Sequence, residues 1–489
     1  MPRRILFFVL ATILVASAPA ASSAAESCAA PDHAGGDWRS YGHDLSNTRT
    51  QPDENVIGTT QAAALEPRRV FSATAAGGEG NFNSTPVIAD GCMYVATDLG
   101  DVYALNADTF SLVWSAKFFV AQTRLGGVIT GAPAVHNGAL IVPVSDAGHP
   151  FVVALDQFTG EELWRTVIDD RPGSFTNASP VVFDGMVFQG FSGDEYVPEA
   201  RGGYAIIDAD DGALLEKRYT IPDAEFGDGY WGGSIWSTAV YEPTARALFV
   251  GTGNPASHDR EHRYTNALVR IDADRSSDSF GDIVDAYKGT VDQYYPGLDR
   301  QPACASKPDV EYGDAWSLTC LQLDLDFGAS PNLFTDARGN VLLGALQKSG
   351  VYHVVYADTM QQAWTSVVGT PCFVCNAASP AVSGGRIFAA GSQPGQIIAL
   401  DQKNGGYEWV TPLADFFHYE SVSTANGVVY ATDLYGNLNA IDAANGIPLL
   451  KRSIGNDVGG NVGGVQSGGV AIARNTVYAP AAGFIVAYR

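Results

Sequence analysis

Ala154-Leu155-Asp156-Gln157-Phe158-Thr159-Gly160-Glu161-Glu162-Leu163-Trp164 carries the pattern that decides the fold: an apolar pair running into Asp, a turn, and Trp eight residues after the Asp. The same spacing returns in Ala399-Leu400-Asp401 ahead of Trp409 and, with Asn in place of Asp, in Ala104-Leu105-Asn106 ahead of Trp114. Ile207-Asp208, Ile271-Asp272 and Ile441-Asp442 are weaker copies, and Tyr356 takes the Asp position ahead of Trp364. Each copy follows an opening of small residues, usually with Pro. These read Ser84-Thr85-Pro86, Ala132-Pro133, Ala178-Ser179-Pro180, Trp236-Ser237-Thr238, Ala329-Ser330-Pro331 and Ala378-Ser379-Pro380, with degenerate openings near Ser421 and Ser467, which makes eight repeats.

Between these marks run short alternating strands of β-branched and aromatic residues cut by Gly, Asp and Asn, and no long segment has helical periodicity. Repeats of about 40–50 residues in this style predict an all-β chain of four-stranded blades arranged radially, an eight-bladed β-propeller. The repeat Asp can close a turn through its side chain, and the Trp can pack between neighbouring blades. Because the last repeat runs out at Tyr488-Arg489, a strand from around residues 65–73 is expected to complete blade eight. A long excursion, about residues 273–328, interrupts the fourth and fifth repeats and carries Cys304 and Cys320.

The chain has 489 residues, a net charge of -24 and 46% hydrophobic residues, enough apolar mass to exclude wholesale disorder. The acidic balance argues against non-specific binding to nucleic acid or anionic membranes. Residues 1–25 read as a signal peptide: Arg3 and Arg4, an apolar run from Ile5 to Ala18, then small residues at Ala18-Pro19-Ala20 and Ser23-Ala24-Ala25. No later segment approaches ~18 uninterrupted apolar residues, so no membrane span is expected. Residues 26–489 are then one propeller, periplasmic or secreted.

Six cysteines in an oxidising compartment favour disulfides. Nearest neighbours would join Cys304 to Cys320 and Cys372 to Cys375, leaving Cys28 with Cys92, which is one of about 15 connectivities. Cys372-Phe373-Val374-Cys375 has the spacing of a haem or zinc site, but Asn376 stands where a covalent haem needs His, and no second pair completes a zinc tetrahedron. His258-Asp259-Arg260-Glu261-His262 fits a zinc-peptidase form, yet it lies in a β context without the helix that would bring both His together.

Asp37-Trp38-Arg39-Ser40-Tyr41-Gly42, followed by Asn47-Thr48-Arg49, resembles the start of quinoprotein alcohol dehydrogenases, eight-bladed propellers that use pyrroloquinoline quinone (PQQ) and a divalent cation. The Asp-to-Trp repeat is similar to their tryptophan-docking motif. Gly313-Asp314-Ala315-Trp316, Cys320, Asp324-Leu325-Asp326-Phe327-Gly328-Ala329-Ser330-Pro331 and Gln347-Lys348-Ser349-Gly350 look closest to the polyvinyl alcohol dehydrogenase branch. The resemblance spans about residues 37–489.

It implies a site. Ser192-Gly193-Asp194-Glu195 resembles the segment whose Glu binds the cation and whose preceding residues touch the quinone. Trp236, 18 residues before Asn254, resembles the quinone-stacking Trp, and Asn254 the cation-binding Asn. Lys348 matches the basic residue that reaches the quinone carbonyls, and Asn177 falls where a polar quinone contact is placed. Asp324 lies nearest to the catalytic Asp, which also meets the cation. The methanol-oxidising branch has its Asp three residues before a second Asp, a position held here by Leu323, so Asp324 and Asp326 are both candidates for the base. That branch's adjacent cysteines have no counterpart. No Cys-x-x-Cys-His is present either, so electrons are expected to leave to a separate acceptor such as a cytochrome c.

The residue types suit this chemistry by themselves. A hard cation, Ca²⁺ or another divalent or trivalent ion, prefers the oxygens that Glu195 and Asn254 offer. A planar quinone needs a flat partner such as Trp236. The Lys348 charge stabilises negative charge on a reduced ring oxygen. Asp324 could accept an alcohol proton while hydride leaves the substrate carbon. Two functions are in view: an exported PQQ-dependent dehydrogenase of secondary alcohols or a hydroxylated polymer, and a non-catalytic propeller serving as a binding or envelope-assembly scaffold.

Overall fold

Asp156 Oδ1 accepts hydrogen bonds from the amides of Phe158 and Thr159 at 2.9 and 2.8 Å, and Asn106 Oδ1 does the same for Asp108 and Thr109. The repeat Asp therefore closes the hairpin between the third and fourth strands of its blade. The repeat Trp reaches the next blade. Trp114 Nε1 donates to Gln157 O at 3.0 Å, Trp164 to Ala209 O at 3.1 Å, and Trp409 to Ala443 O at 3.1 Å. Each indole lies against a glycine of that next blade, Gly160, Gly212 or Gly446, where a Cβ would come within 2.7 Å of the ring. These glycines also have φ of 75°, 74° and 74°, so both the close approach and the left-handed turn require them.

The computed structural model describes residues 27–122, 126–256, 262–290, 325–371, 375–413, 420–460, 462 and 468–489. Eight antiparallel sheets follow one another, at 87–117, 134–167, 181–219, 240–288, 332–367, 381–412, 423–453 and 471–488. The eighth takes its outer strand, Pro67–Ser72, from the other end of the chain, pairing with Phe484–Tyr488 in the register Val70↔Val486. Its inner strand touches that of blade one, which closes the ring. The fold is an eight-bladed β-propeller, as the repeats predict.

The small residues that open each repeat tie neighbouring blades together. Ser179 Oγ accepts from Ala132 N at 2.8 Å, Thr238 Oγ1 from Ser179 N at 3.3 Å, Ser330 Oγ from Thr238 N at 2.9 Å, and Ser379 Oγ from Ser330 N at 2.8 Å. Each hydroxyl thus satisfies a buried amide of the blade before it, a bond worth about 1 kcal/mol and costly to leave unmade.

The segment 37–51 fills the axis. Its carbonyls accept from the inner strands in turn, Arg39 from Val135, Leu45 from Tyr241, Ser46 from Leu333, Thr48 from Val382 and Arg49 from Thr424, each at 2.9 Å. Trp38 bridges to Ile88 of blade one, and Gln51 Nε2 donates to Ile472 O of blade eight at 3.1 Å. Arg49 is fully buried, donating to Val422 O at 2.8 Å and Tyr41 O at 2.5 Å and stacking 4.7 Å from the Tyr41 ring centroid. Burial lowers its pKa to about 10. Along blade five the chain passes Asp326, then Ser330 of the hydroxyl ring, then Leu333 of the plug contact.

One boundary needs correction. Ile283–Lys288 is the outer strand of blade four, paired with Ala267–Asp272, although it falls inside the span 273–328 read as an excursion. Its hairpin is long and Phe280 stands where the repeat places Trp, so the spacing signal is lost. The excursion begins after this strand, and residues 291–324 lie outside the described residues. Cys28 and Cys92 form a disulfide, and Cys375 is disulfide-bonded. Cys304, Cys320, Cys372 and the signal-like residues 1–25 lie outside the described residues. Among the described residues no helix is long and apolar enough to cross a membrane.

Candidate functional site

Two kinds of loop converge where the inner strands begin: those leading into an inner strand, and those joining a second strand to a third. Trp236 belongs to the first kind in blade four, ahead of Val240–Glu242, and Asn254 to the second, after Ala247–Gly251. Backbone bonds stitch the two loops together, Gly233 N to Asn254 O at 3.0 Å and Gly253 N to Ser234 O at 2.7 Å. Blade five contributes Asp326, just ahead of Asn332–Thr335, and Lys348, just after Val341–Leu346. Lys348 N donates to Asp326 O at 3.0 Å.

The Asp326 carboxylate joins all four. Its Oδ2 accepts from Trp236 Nε1 at 2.8 Å and from Lys348 Nζ at 3.3 Å, and its Oδ1 accepts from Asn254 N at 2.6 Å. Lys348 Nζ stands 5.2 Å from the centroid of the Trp236 ring. Asp326 and Lys348 are only 5% and 6% exposed and form a buried ion pair. Gly328 makes room for the indole, since a Cβ there would come 2.0 Å from Trp236 Cη2.

Ser192 and Gly193 end the second strand of blade three, Met186–Gly193, and Gly193 N donates to Ser234 Oγ of the Trp236 loop at 3.3 Å. Glu195 follows in the same loop, half-buried. Asn177 is held on the blade-two side, where its Oδ1 accepts from Thr130 Oγ1 at 2.8 Å and lies against Gly126. Asp324 lies outside the described residues. The structure therefore brings together Trp236, Asn254, Asp326 and Lys348, with Ser192, Gly193 and Glu195 on the adjoining loop.

Two buried polar atoms here, Ser192 Oγ and Asn254 Nδ2, make no hydrogen bond among the described residues. Such atoms cost about 1–3 kcal/mol each unless something else satisfies them. With an indole face, a buried ammonium and a carboxylate beside them, they fit a polar, planar, anionic cofactor. Among the described residues no three His, Cys, Asp or Glu side chains cluster closely enough to hold a metal ion by themselves. A cation here would draw on Asp326, Glu195 and the Asn254 amide oxygen.

Sequence reasoning missed two amides. Asn376 is fully buried, and its Nδ2 donates to Lys348 O at 3.2 Å and to Thr370 O at 2.9 Å. Gln347 packs behind Lys348 and donates to Leu325 O at 2.7 Å. An unusual backbone would have marked Asn376, which has φ of 56°, but a sequence does not display it. Positions 257–261 of the zinc-peptidase-like run lie outside the described residues, and its His262 is engaged by Glu225 of the short helix Asp223–Gly227.

The PQQ_2 family model, described as outer membrane protein assembly factor BamB, matches residues 43–256 and 328–489. The chain belongs to the PQQ_2 family. Its relatives are also the quinoprotein alcohol dehydrogenases that the sequence resembles. A polyvinylalcohol dehydrogenase of Pseudomonas sp is 27% identical over 84% of this PQQ_2 chain and 66% of its own length. Quinohemoprotein alcohol dehydrogenase ADH IIB of Pseudomonas putida is 29% identical over 53% of this chain and 40% of its own. The chain thus spans about 40% to 66% of the length of these curated relatives. The solved quinohemoprotein alcohol dehydrogenase ADHIIG of Pseudomonas putida superposes with a TM-score of 0.73 at 17% identity, covering 93% of this chain and 80% of that one, and shares the fold.

Proposed function

We propose that this PQQ_2 propeller is an exported PQQ- and divalent-cation-dependent alcohol dehydrogenase. The observation that carries the reading is Asp326, whose buried carboxylate gathers Trp236, Asn254 and Lys348 from three other loops of two blades. Trp236 offers a flat face to a quinone, Lys348 a fixed positive charge, and Ser192 and Asn254 buried polar atoms in need of partners. Glu195, Asn254 and Asp326 supply oxygens for a cation such as Ca²⁺. When bound, PQQ supplies a two-electron acceptor and the cation a Lewis acid.

Of the two candidates for the base, Asp326 is the one among the described residues, and we assign the role to it. Its oxygens are aimed by three donors, so the carboxylate is already oriented to take the proton of a substrate hydroxyl. Loss of that proton and of a hydride from the same carbinol converts an alcohol to a carbonyl. The substrate class is a secondary alcohol or hydroxylated polymer, supported by the polyvinylalcohol dehydrogenase relative. Electrons then pass to an external acceptor such as a cytochrome c. The Cys28–Cys92 disulfide and the signal-like residues 1–25 support a periplasmic or secreted location.

The description of the family model favours a second reading, a non-catalytic propeller acting as a binding or envelope-assembly scaffold. A buried ion pair beside unpartnered polar atoms is a poor design for a surface that only docks proteins. Dye reduction decides. Protein reconstituted with PQQ and Ca²⁺ should reduce a dye with simple alcohols or polyvinyl alcohol, and Asp326→Asn should lower kcat by about 10²–10⁴. No turnover by the wild-type protein would favour the scaffold, and an unimpaired Asp326→Asn would clear Asp326 of the role of base.

A further inference from the structure

Asp326 sits on irregular chain ahead of its strand, and Lys348 on a turn after another, so neither is placed by a β ladder. Two bonds zip these stretches together. One is between backbones, Lys348 N to Asp326 O at 3.0 Å, and the other comes from a side chain, Gln347 Nε2 to Leu325 O at 2.7 Å. The Gln347 amide is used on every side. Its Nε2 also donates to Thr290 O at 2.9 Å, while its Oε1 accepts from Thr290 N at 2.9 Å and Ser349 Oγ at 2.8 Å. Thr290 N can only donate, which fixes which end of the amide is oxygen.

Behind it stands His353, 4% exposed, with Nε2 at 3.1 Å from Gln347 Oε1 and Nδ1 at 3.1 Å from the Tyr287 hydroxyl. The amide oxygen can only accept, so the imidazole proton at that contact lies on Nε2, while Tyr287 gives its single hydroxyl proton to Gln362 Oε1 at 2.9 Å and sets its oxygen against Nδ1. The ring meets Phe327, the residue after Asp326, edge-on at 5.3 Å. Gln347 is therefore held from behind while it grips the residue before Asp326, and its own backbone continues into Lys348.

We infer that Gln347, backed by His353 and Tyr287, is a positioning residue that sets the spacing between Asp326 and Lys348. This rests on the dehydrogenase reading, in which those two groups must face one substrate and one cofactor together. The amide does not touch either reacting group. It acts by fixing the two chain segments that carry them, where drift of about 1 Å can cost roughly 10²-fold in rate.

Gln347→Leu keeps the volume and removes every polar contact. Hydrogen exchange on the unloaded protein should then quicken about tenfold or more at 325–327 and 348–350, with the Trp-docking turns unchanged. In the loaded protein kcat should fall about 10- to 100-fold while KM for the alcohol shifts less than about threefold. Gln347→Glu, which serves if the Leu variant does not fold, puts a carboxylate against the carbonyls of Leu325 and Thr290. Its kcat, taken as a fraction of the wild-type value at the same pH, should recover as acid restores an O–H donor to Leu325 O. Unchanged exchange in either variant overturns the inference, and so does faster exchange with unaltered kcat. Failure of the wild-type protein to take up quinone overturns the dehydrogenase reading instead, because the exchange of the unloaded chain judges the spacing role separately.

Discussion

His353 shows how a single side chain couples the site to pH. Burial lowers its pKa from the ordinary 6.5 to about 4, so the folded protein holds it neutral. The unfolded chain binds the proton first on acidification. Stability from this group is therefore complete above about pH 6.5, declines as pH falls toward 4, and changes no further below that. The shift corresponds to about 3 kcal/mol. Urea titrations of wild type and His353→Gln between pH 4 and 7 should show the variant's unfolding free energy losing most of that slope, and parallel slopes would contradict the assignment. At the same scale, the proposed base was readable from sequence only as a choice between Asp324 and Asp326. Asp326 stands out because its partners Trp236 and Asn254 lie in another blade, a contact that local spacing does not encode. Gln347 and Asn376 were missed for the same reason, since their partners Leu325, Thr290 and Thr370 are not marked by local spacing.

Among elements, the outer hairpin was legible because docking demands three things at fixed offsets: an Asp or Asn to close the turn, a Trp eight residues on, and a Gly in the next blade to receive it. Where one part is replaced the signal fades. Glu216 takes the Trp position in blade three and lies beneath Gly281, and the fourth strand of blade four lacks the Trp altogether. The hydroxyl ring was not legible, because Ser179 and Ser330 look like small residues until their bonds to the preceding blade are seen. Gly212→Ala tests the docking element. It places a methyl 2.7 Å from the Trp164 ring at a φ of 74°, and overpacking with left-handed strain should cost about 2–4 kcal/mol. Thermal unfolding checks this, and a variant as stable as wild type would mean the blades do not depend on the contact.

At the scale of the molecule, closure of the ring joins residues 67–72 to 484–488, while segment 37–51 seals the axis from Ile88 round to Ile472. The stretch Asp37–Arg49 carries the family resemblance in sequence, and the structure gives it a physical task. It satisfies inner-strand amides that would otherwise face an open channel. The candidate site around Asp326 is carried by loops of blades three, four and five. The most direct test of the account is equilibrium uptake of PQQ with Ca²⁺, followed by the absorption spectrum of the bound quinone. Wild-type protein should bind about one PQQ per chain, and Trp236→Ala and Lys348→Ala should each weaken binding about tenfold or more. Absence of binding by the wild type, or binding by Trp236→Ala as tight as the wild type's, would contradict it.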